Sequence, residues 1–290
     1  MAEKPNIIPC SIKKEWSRAI IKYAEELRAH AHLIGTHGLD EAYFKESGLF
    51  NSAIERIRGQ RSATTNEKYG FINTILEKLK SDNYIKSFTY VGQKERHDYE
   101  IIFDNDYICC LEAKGCLDGN NTNIFQRPPN ANEFVIWSLC QNGGSDPKRN
   151  AFSGIHTRLS AEIIAKRERV DGLLIWDPLC GTLARSCPKL DDKTKKVVTI
   201  NSKMLPPPCI YLFPSTIPDA RNNPTPRPWN LSDVRLLNVL CKAFYGKETD
   251  AVKVAIEVKM SGSDTQRRTI YTKGKLIIYT SNWTTVRRAK

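Results

Sequence analysis

The stretch that most constrains this chain runs from His97 to Gly115. Two apolar runs, Tyr99–Phe103 and Tyr107–Leu111, flank a polar triplet, Asp104-Asn105-Asp106. Turn-forming residues between two strand-like runs predict a β-hairpin. With pairing symmetric about Asn105, Asp98 stands directly opposite Glu112, each seven residues from the centre. Opposed residues share a face, with Cβ atoms roughly 4.5–5.5 Å apart. Lys114 lies two residues beyond Glu112 and shares that face. The register is essential, because a slip of one residue sends Asp98 to the other side of the sheet.

Two carboxylates this close repel and ask for a cation between them. A hard ion such as Mg²⁺, bound by carboxylate oxygens and waters, fits that demand. Lys114 is then placed to hold or deprotonate a water beside the ion. These are the parts of metal-assisted phosphodiester hydrolysis. The same residues also read as a solvated hairpin carrying one surface ion pair.

Asp98, followed after a buried strand by Glu112-Ala113-Lys114, resembles the signature of the PD-(D/E)XK nuclease superfamily, to which most type II restriction endonucleases belong. His97 stands where the family's motif has proline. The surrounding order agrees with the family core: helix, strand, strand with Asp98, strand with Glu112 and Lys114, helix, strand, over residues 66–177. The resemblance implies an α/β fold with a restriction-endonuclease-like core, a central mixed sheet flanked by helices. Around it are expected an N-terminal helical lobe and a C-terminal extension containing β-structure. It implies Asp98, Glu112 and the Ala113 carbonyl as ligands of Mg²⁺, with Mn²⁺ able to substitute, and Lys114 as the residue that activates water. Many members carry a further acidic residue on the helix before the sheet. Glu67, in the first turn of the helix expected over 66–80, is the candidate here, unless it serves only the helix dipole.

The rest of the chain divides at residues 60 and 180. Residues 1–60 read as a helical lobe, with Trp16, Ile20, Tyr23, Leu27, Ala31 and Ile34 at helical spacing. Residues 61–180 carry the nuclease-like order, with strands over 84–91 and 170–176 and a helix over 158–168. The apolar run 132–140 suits helix or strand alike. Residues 181–290 are basic and proline-rich. Eight prolines between Leu205 and Trp229 forbid helix there and suggest a wrap over the core with a linker near 217–228. A helix is expected over 231–245.

The 44 Lys and Arg against 32 Asp and Glu leave a net charge of +12, which suits a polyanionic partner, double-stranded DNA first. Residues 141–158 interleave breakers with amide, hydroxyl and guanidinium groups, the side chains that read bases and clamp phosphates. Gln60, Arg61, Lys148, Arg149, Asn150 and Arg158 are the expected DNA contacts there and in the connector before the core. Arg267, Arg268 and Lys273 are expected to add a phosphate-gripping ribbon, since residues 261–290 hold seven Lys or Arg and one Asp. A second Asp…Glu-x-Lys series, Asp250, Glu257 and Lys259, is the alternative catalytic set.

Nine cysteines without a Cys-x-x-Cys pair read as reduced core residues, and Cys180, Cys187 and Cys209 match no common zinc spacing. No run of 18 apolar residues suggests a membrane span. A cytoplasmic, prokaryotic protein is expected. The family resemblance further implies a homodimer on palindromic DNA and a companion DNA methyltransferase. Against this enzyme reading stand a non-cleaving DNA-binding module on the same fold and a repair or recombination nuclease.

Overall fold

In a computed structural model of the chain, the described residues are 14–29, 65–92, 97–114, 127–139, 156–176, 197–205 and 207–286, with isolated positions between 46 and 53. They form an α/β fold dominated by one mixed sheet. Strands β1 (Ser87–Tyr90), β2 (Tyr99–Ile102) and β3 (Ile108–Lys114) make an antiparallel meander. β4 (Glu133–Leu139) and β5 (Gly172–Trp176) then add in parallel to β3. A small separate hairpin is made by β6 (Val198–Ile200) and β7 (Lys203–Leu205). The large sheet continues through β8 (Cys209–Leu212), β9 (Val252–Ser261), β10 (Asp264–Lys273) and β11 (Leu276–Thr280), and β12 (Thr284–Thr285) also pairs with β10. Strands from the C-terminal third therefore extend the sheet begun by the hairpin.

Helices cover both faces. α1 (Lys14–Ala29) buries Ile20, Tyr23, Ala24 and Leu27 in a small cluster of its own with Leu49 and Ala53. α2 (Thr65–Ser81) turns Ile72, Ile75, Leu76 and Leu79 onto the sheet face made by Leu111, Ala113 and Trp137. α4 (Arg235–Ala243) joins it there through Leu236, Leu237 and Leu240. α3 (His156–Lys166), between β4 and β5, packs Leu159 and Ile163 on the opposite face against Phe134, Ile136 and Ile175. Gly172 has a packing reason, since a Cβ there would run into the Leu237 side chain of α4.

The ambiguous run 132–140 contains strand β4 (Glu133–Leu139), paired directly with β3. A strand buried on both faces loses the alternation that identifies strands, which is why its period was silent. The nuclease-like order is thereby altered: a parallel strand, not a helix, is the next described element after Lys114, and the helix follows it. The connection over 115–126 lies outside the described residues. The proline-rich stretch is not a linker over 217–228. Ser215 N–H donates to Arg227 O (2.9 Å), Trp229 N–H to Phe213 O (2.9 Å) and Val258 N–H to Pro224 O (2.9 Å), which fastens it to the sheet. Most of the lobe expected over 1–60 falls on residues not described. Among the described residues no helix is long and apolar enough to cross a membrane.

Two buried carboxylates tie these layers together. Asp171, 1% exposed, precedes β5. It accepts from Arg127 Nη1 (2.6 Å), Phe134 N–H (2.7 Å), Arg169 Nε (2.7 Å) and Trp229 Nε1 (3.2 Å). Glu133, at the start of β4, accepts from the Arg235 and Leu236 N–H groups (2.7 and 2.9 Å) and from Tyr107 Oη (3.1 Å). It caps the first turn of α4 from another strand, where the helix leaves N–H groups unmet. Burial pushes its carboxyl upward, against these hydrogen bonds.

Breaking a buried ion pair from one side costs about 3–5 kcal/mol. Arg127 and Arg169 keep some solvent, so Asp171→Ala is expected near the lower figure, about 3 kcal/mol. A urea titration reads this as a lower midpoint at unchanged slope. A wild-type midpoint would deny Asp171 its role as a tie between strands.

Candidate active site on the β2–β3 hairpin

The hairpin closes as its sequence predicts. Phe103 N–H donates to Tyr107 O (2.9 Å), and Asp104–Asp106 form one short turn. Asn105 (φ 61°) and Asp106 (φ 55°) take left-handed backbone, which asparagine and aspartate tolerate better than most residues. The register runs Ile102↔Ile108 to Tyr99↔Leu111. Continued one step, it sets Asp98 against Glu112.

At that step the ladder bends. Asp98 N–H donates to Leu111 O (3.0 Å), and Val91 N–H donates to Asp98 O (3.0 Å). The Asp98 carboxylate folds toward the neighbouring strand, and Oδ2 accepts from Ala113 N–H at 2.7 Å. It thus reaches the backbone of the residue between Glu112 and Lys114. Its other oxygen, Oδ1, accepts from the Tyr69 hydroxyl at 2.8 Å. Glu112 and Lys114 are paired, Nζ to Oε1 at 2.5 Å, with 15% and 22% of their side chains exposed. Asp98 is therefore held by the Ala113 backbone and the Tyr69 hydroxyl, while Glu112 and Lys114 are bonded to each other.

Tyr69 is the residue that sequence reasoning passed over. It sits on α2, and its ring lies 4.5 Å from Tyr90 and 6.1 Å from Tyr99. Burial, then its bonds to Tyr90 and Asp98, push its hydroxyl upward, so it stays a donor. Tyr99 is raised as well, by burial and then by the Asp98 charge, and donates to Asn73 Oδ1 (2.8 Å). The signal was the position: a tyrosine in the first half of the helix that precedes the sheet, one stripe from its apolar face. Glu67 also lies in that helix, and its side chain falls outside the described residues.

The donor set suits a hard divalent ion. Asp98, Glu112 and the Ala113 carbonyl offer only oxygen. A carboxylate has about four lone-pair sites, and Asp98 shows two protein donors, so acceptor capacity remains.

The alternative set does not assemble. Asp250 precedes β9 and Glu257 lies within it. Five strand steps from Val252 to Glu257 alone span about 16 Å, beyond the reach of one ion. Glu257 is instead bonded to Arg268 Nε (2.5 Å), its cross-strand partner. Lys259 Nζ and the Arg268 guanidinium both lie over the Trp283 ring, at 4.2 and 5.0 Å.

The expected DNA contacts divide. Gln60, Arg61, Lys148, Arg149 and Asn150 lie outside the described residues, and Arg158 is placed only as a helical position in α3. Lys273 is half exposed at the end of β10 and 4.0 Å from Asp250. Arg267 departs from the expected ribbon of exposed cations. It is 3% exposed, on the face of β10 that carries Thr269 and Tyr271, because that face is turned into the core beneath α3. Burial lowers the affinity of its guanidinium for the proton.

Compared with known proteins, the chain matches no protein-family model, no curated protein and no solved structure.

Proposed function

We propose that this protein is a Mg²⁺-dependent, sequence-specific endonuclease of double-stranded DNA, of the type II restriction class, built on a PD-(D/E)XK core. The observation that carries the proposal is the reach of the Asp98 carboxylate to the Ala113 backbone beside the Glu112–Lys114 pair. Asp98, Glu112 and the Ala113 carbonyl would hold Mg²⁺ or Mn²⁺. When bound, the ion neutralises charge that builds on the scissile phosphate and the leaving oxygen. Lys114 Nζ donates to the attacking water and orients it, and the water's proton leaves to solvent. Tyr69 fixes the rotamer of Asp98 by donating to Oδ1. Attack in line at phosphorus leaves 5′-phosphate and 3′-hydroxyl ends. The surplus of basic residues supplies the non-specific attraction to DNA. A homodimer would match the two-fold symmetry of a palindromic site. The class further implies a companion methyltransferase and a prokaryotic cytoplasm.

One observation favours a second reading, a DNA-binding module that does not cut. Both Asp98 oxygens already accept from protein donors, and Glu112 is neutralised by Lys114. A plasmid or phage digest decides between them. The nuclease gives discrete bands with Mg²⁺ and none with chelator. DNA retarded in a gel but intact under every metal condition supports the module.

Lys114→Ala is expected to bind DNA as before and to cut at least about 10³-fold more slowly, the scale of a lost transition-state donor. Unchanged cleavage by this variant removes Lys114 from the chemistry. Tyr69→Phe is expected to fold and cut, but to need about tenfold more Mg²⁺ for half-maximal rate, as when an outer partner of a metal ligand is lost. An unchanged Mg²⁺ requirement would leave Tyr69 a packing residue.

A further inference from the structure

On the same hairpin, one step along from the candidate catalytic residues, three ligands of mixed type converge, a nitrogen, an oxygen and a sulfur. Glu100 and Cys110 are directly opposed across β2 and β3. His97 folds back onto them from the bend before β2. One ligand atom from each of His97, Glu100 and Cys110 lies within 4.8 Å of the others. His97 Nε2 and Glu100 Oε1 are already 3.4 Å apart.

The imidazole is the decisive group. His97 is 5% exposed, and among the described residues neither Nδ1 nor Nε2 makes a hydrogen bond, the approach to Glu100 being poorly aligned for one. A buried polar group left unmet costs about 1–3 kcal/mol. Histidine placed this way, against a carboxylate and a thiol, is what a coordinated ion would satisfy. His97 is also the point at which the chain leaves the motif it resembles, where proline would supply no ligand.

We propose that His97, Glu100 and Cys110 bind a transition-metal ion of the zinc class, at a site separate from the oxygen ligands of Asp98 and Glu112. Nitrogen, carboxylate oxygen and thiolate are the ligand types zinc takes, at about 2.0–2.3 Å each. Bonds of that length put tetrahedral ligands roughly 3.3–3.8 Å apart, so closing the present triangle needs about an ångström of movement. A dication with one thiolate and one carboxylate makes a neutral centre, which suits burial. Glu100, 30% exposed, opens the site to solvent and leaves room for water as fourth ligand. Asn130 Nδ2, which donates to Glu100 Oε1 (3.1 Å), would orient that carboxylate from outside. The ion would brace the chain on either side of Asp98, since His97 precedes it and Glu100 lies two residues on.

Cobalt titration of the full-length, reduced protein tests this, because Co²⁺ reports thiolate ligation by a charge-transfer band and tetrahedral geometry by its visible bands. The expected result is one Co²⁺ per chain with both signatures, displaced by Zn²⁺ and not by Mg²⁺. Cys110→Ser should abolish the charge-transfer band. Glu100→Gln, at a partly exposed position that tolerates change, should keep the band and weaken binding by at least about tenfold, since even outer partners of a metal ligand cost that much. Asp98→Asn should leave the spectrum unaltered, which separates this site from the proposed catalytic one. Absence of the band in the wild type, its survival in Cys110→Ser, unchanged affinity in Glu100→Gln, or its loss in Asp98→Asn would each overturn the proposal.

Discussion

The arrangement of this protein depends on the register of one hairpin. A turn of three residues, closed by Phe103 and Tyr107, sets every pairing between β2 and β3. Sheet side chains alternate with a period of two, so the turn decides which residues meet and on which face. With Asn105 at its centre, Tyr99, Ile101, Cys109 and Leu111 all enter the core beneath α2. A loop one residue longer or shorter would turn those apolar groups to the other face. Burial and register therefore enforce each other.

The bend at Asp98 adds what a regular ladder cannot. A carboxylate that stood straight out of the sheet would present both oxygens to solvent. Here it turns along the sheet to meet the Ala113 N–H and the Tyr69 hydroxyl, one donor from the next strand and one from the covering helix. Those two bonds hold the rotamer before any ligand arrives, the preorganisation that an ion-binding or catalytic carboxylate needs. The same economy of position recurs at Glu133 and Asp171, which sit at strand ends and spend their oxygens on neighbouring layers.

What the sequence made legible was local. The hairpin, its register and the helix over 65–81 could be read from turn residues and periodicity, because short-range chemistry determines them. Three features could not. Strand β4 is buried on both faces and so shows no alternation. Arg267 counted as one more exposed cation in a basic tail, whereas its position on β10 turns it under α3. Tyr69 reaches Asp98 across 29 residues, a contact that no local pattern encodes. The proline-rich stretch misled in the opposite way. Its composition suggested a wrap over the core with a linker near 217–228, but composition says only that the segment is neither helix nor central strand, and main-chain bonds to Phe213 and Val258 fix the whole stretch as wrap.

The two Asp…Glu-x-Lys series show why spacing carries chemistry only through topology. Asp98 and Glu112 are 14 residues apart with a turn between them, so the chain doubles back and brings their neighbours Tyr99 and Leu111 level. Asp250 and Glu257 are seven apart with no turn, and β9 carries one away from the other by about 16 Å or more. Glu257 and Lys259 then serve the sheet itself, through Arg268 across the strand and the ring of Trp283. Lys114 pairs with Glu112, and Asp98 is held by two neutral donors, the Ala113 N–H and the Tyr69 hydroxyl.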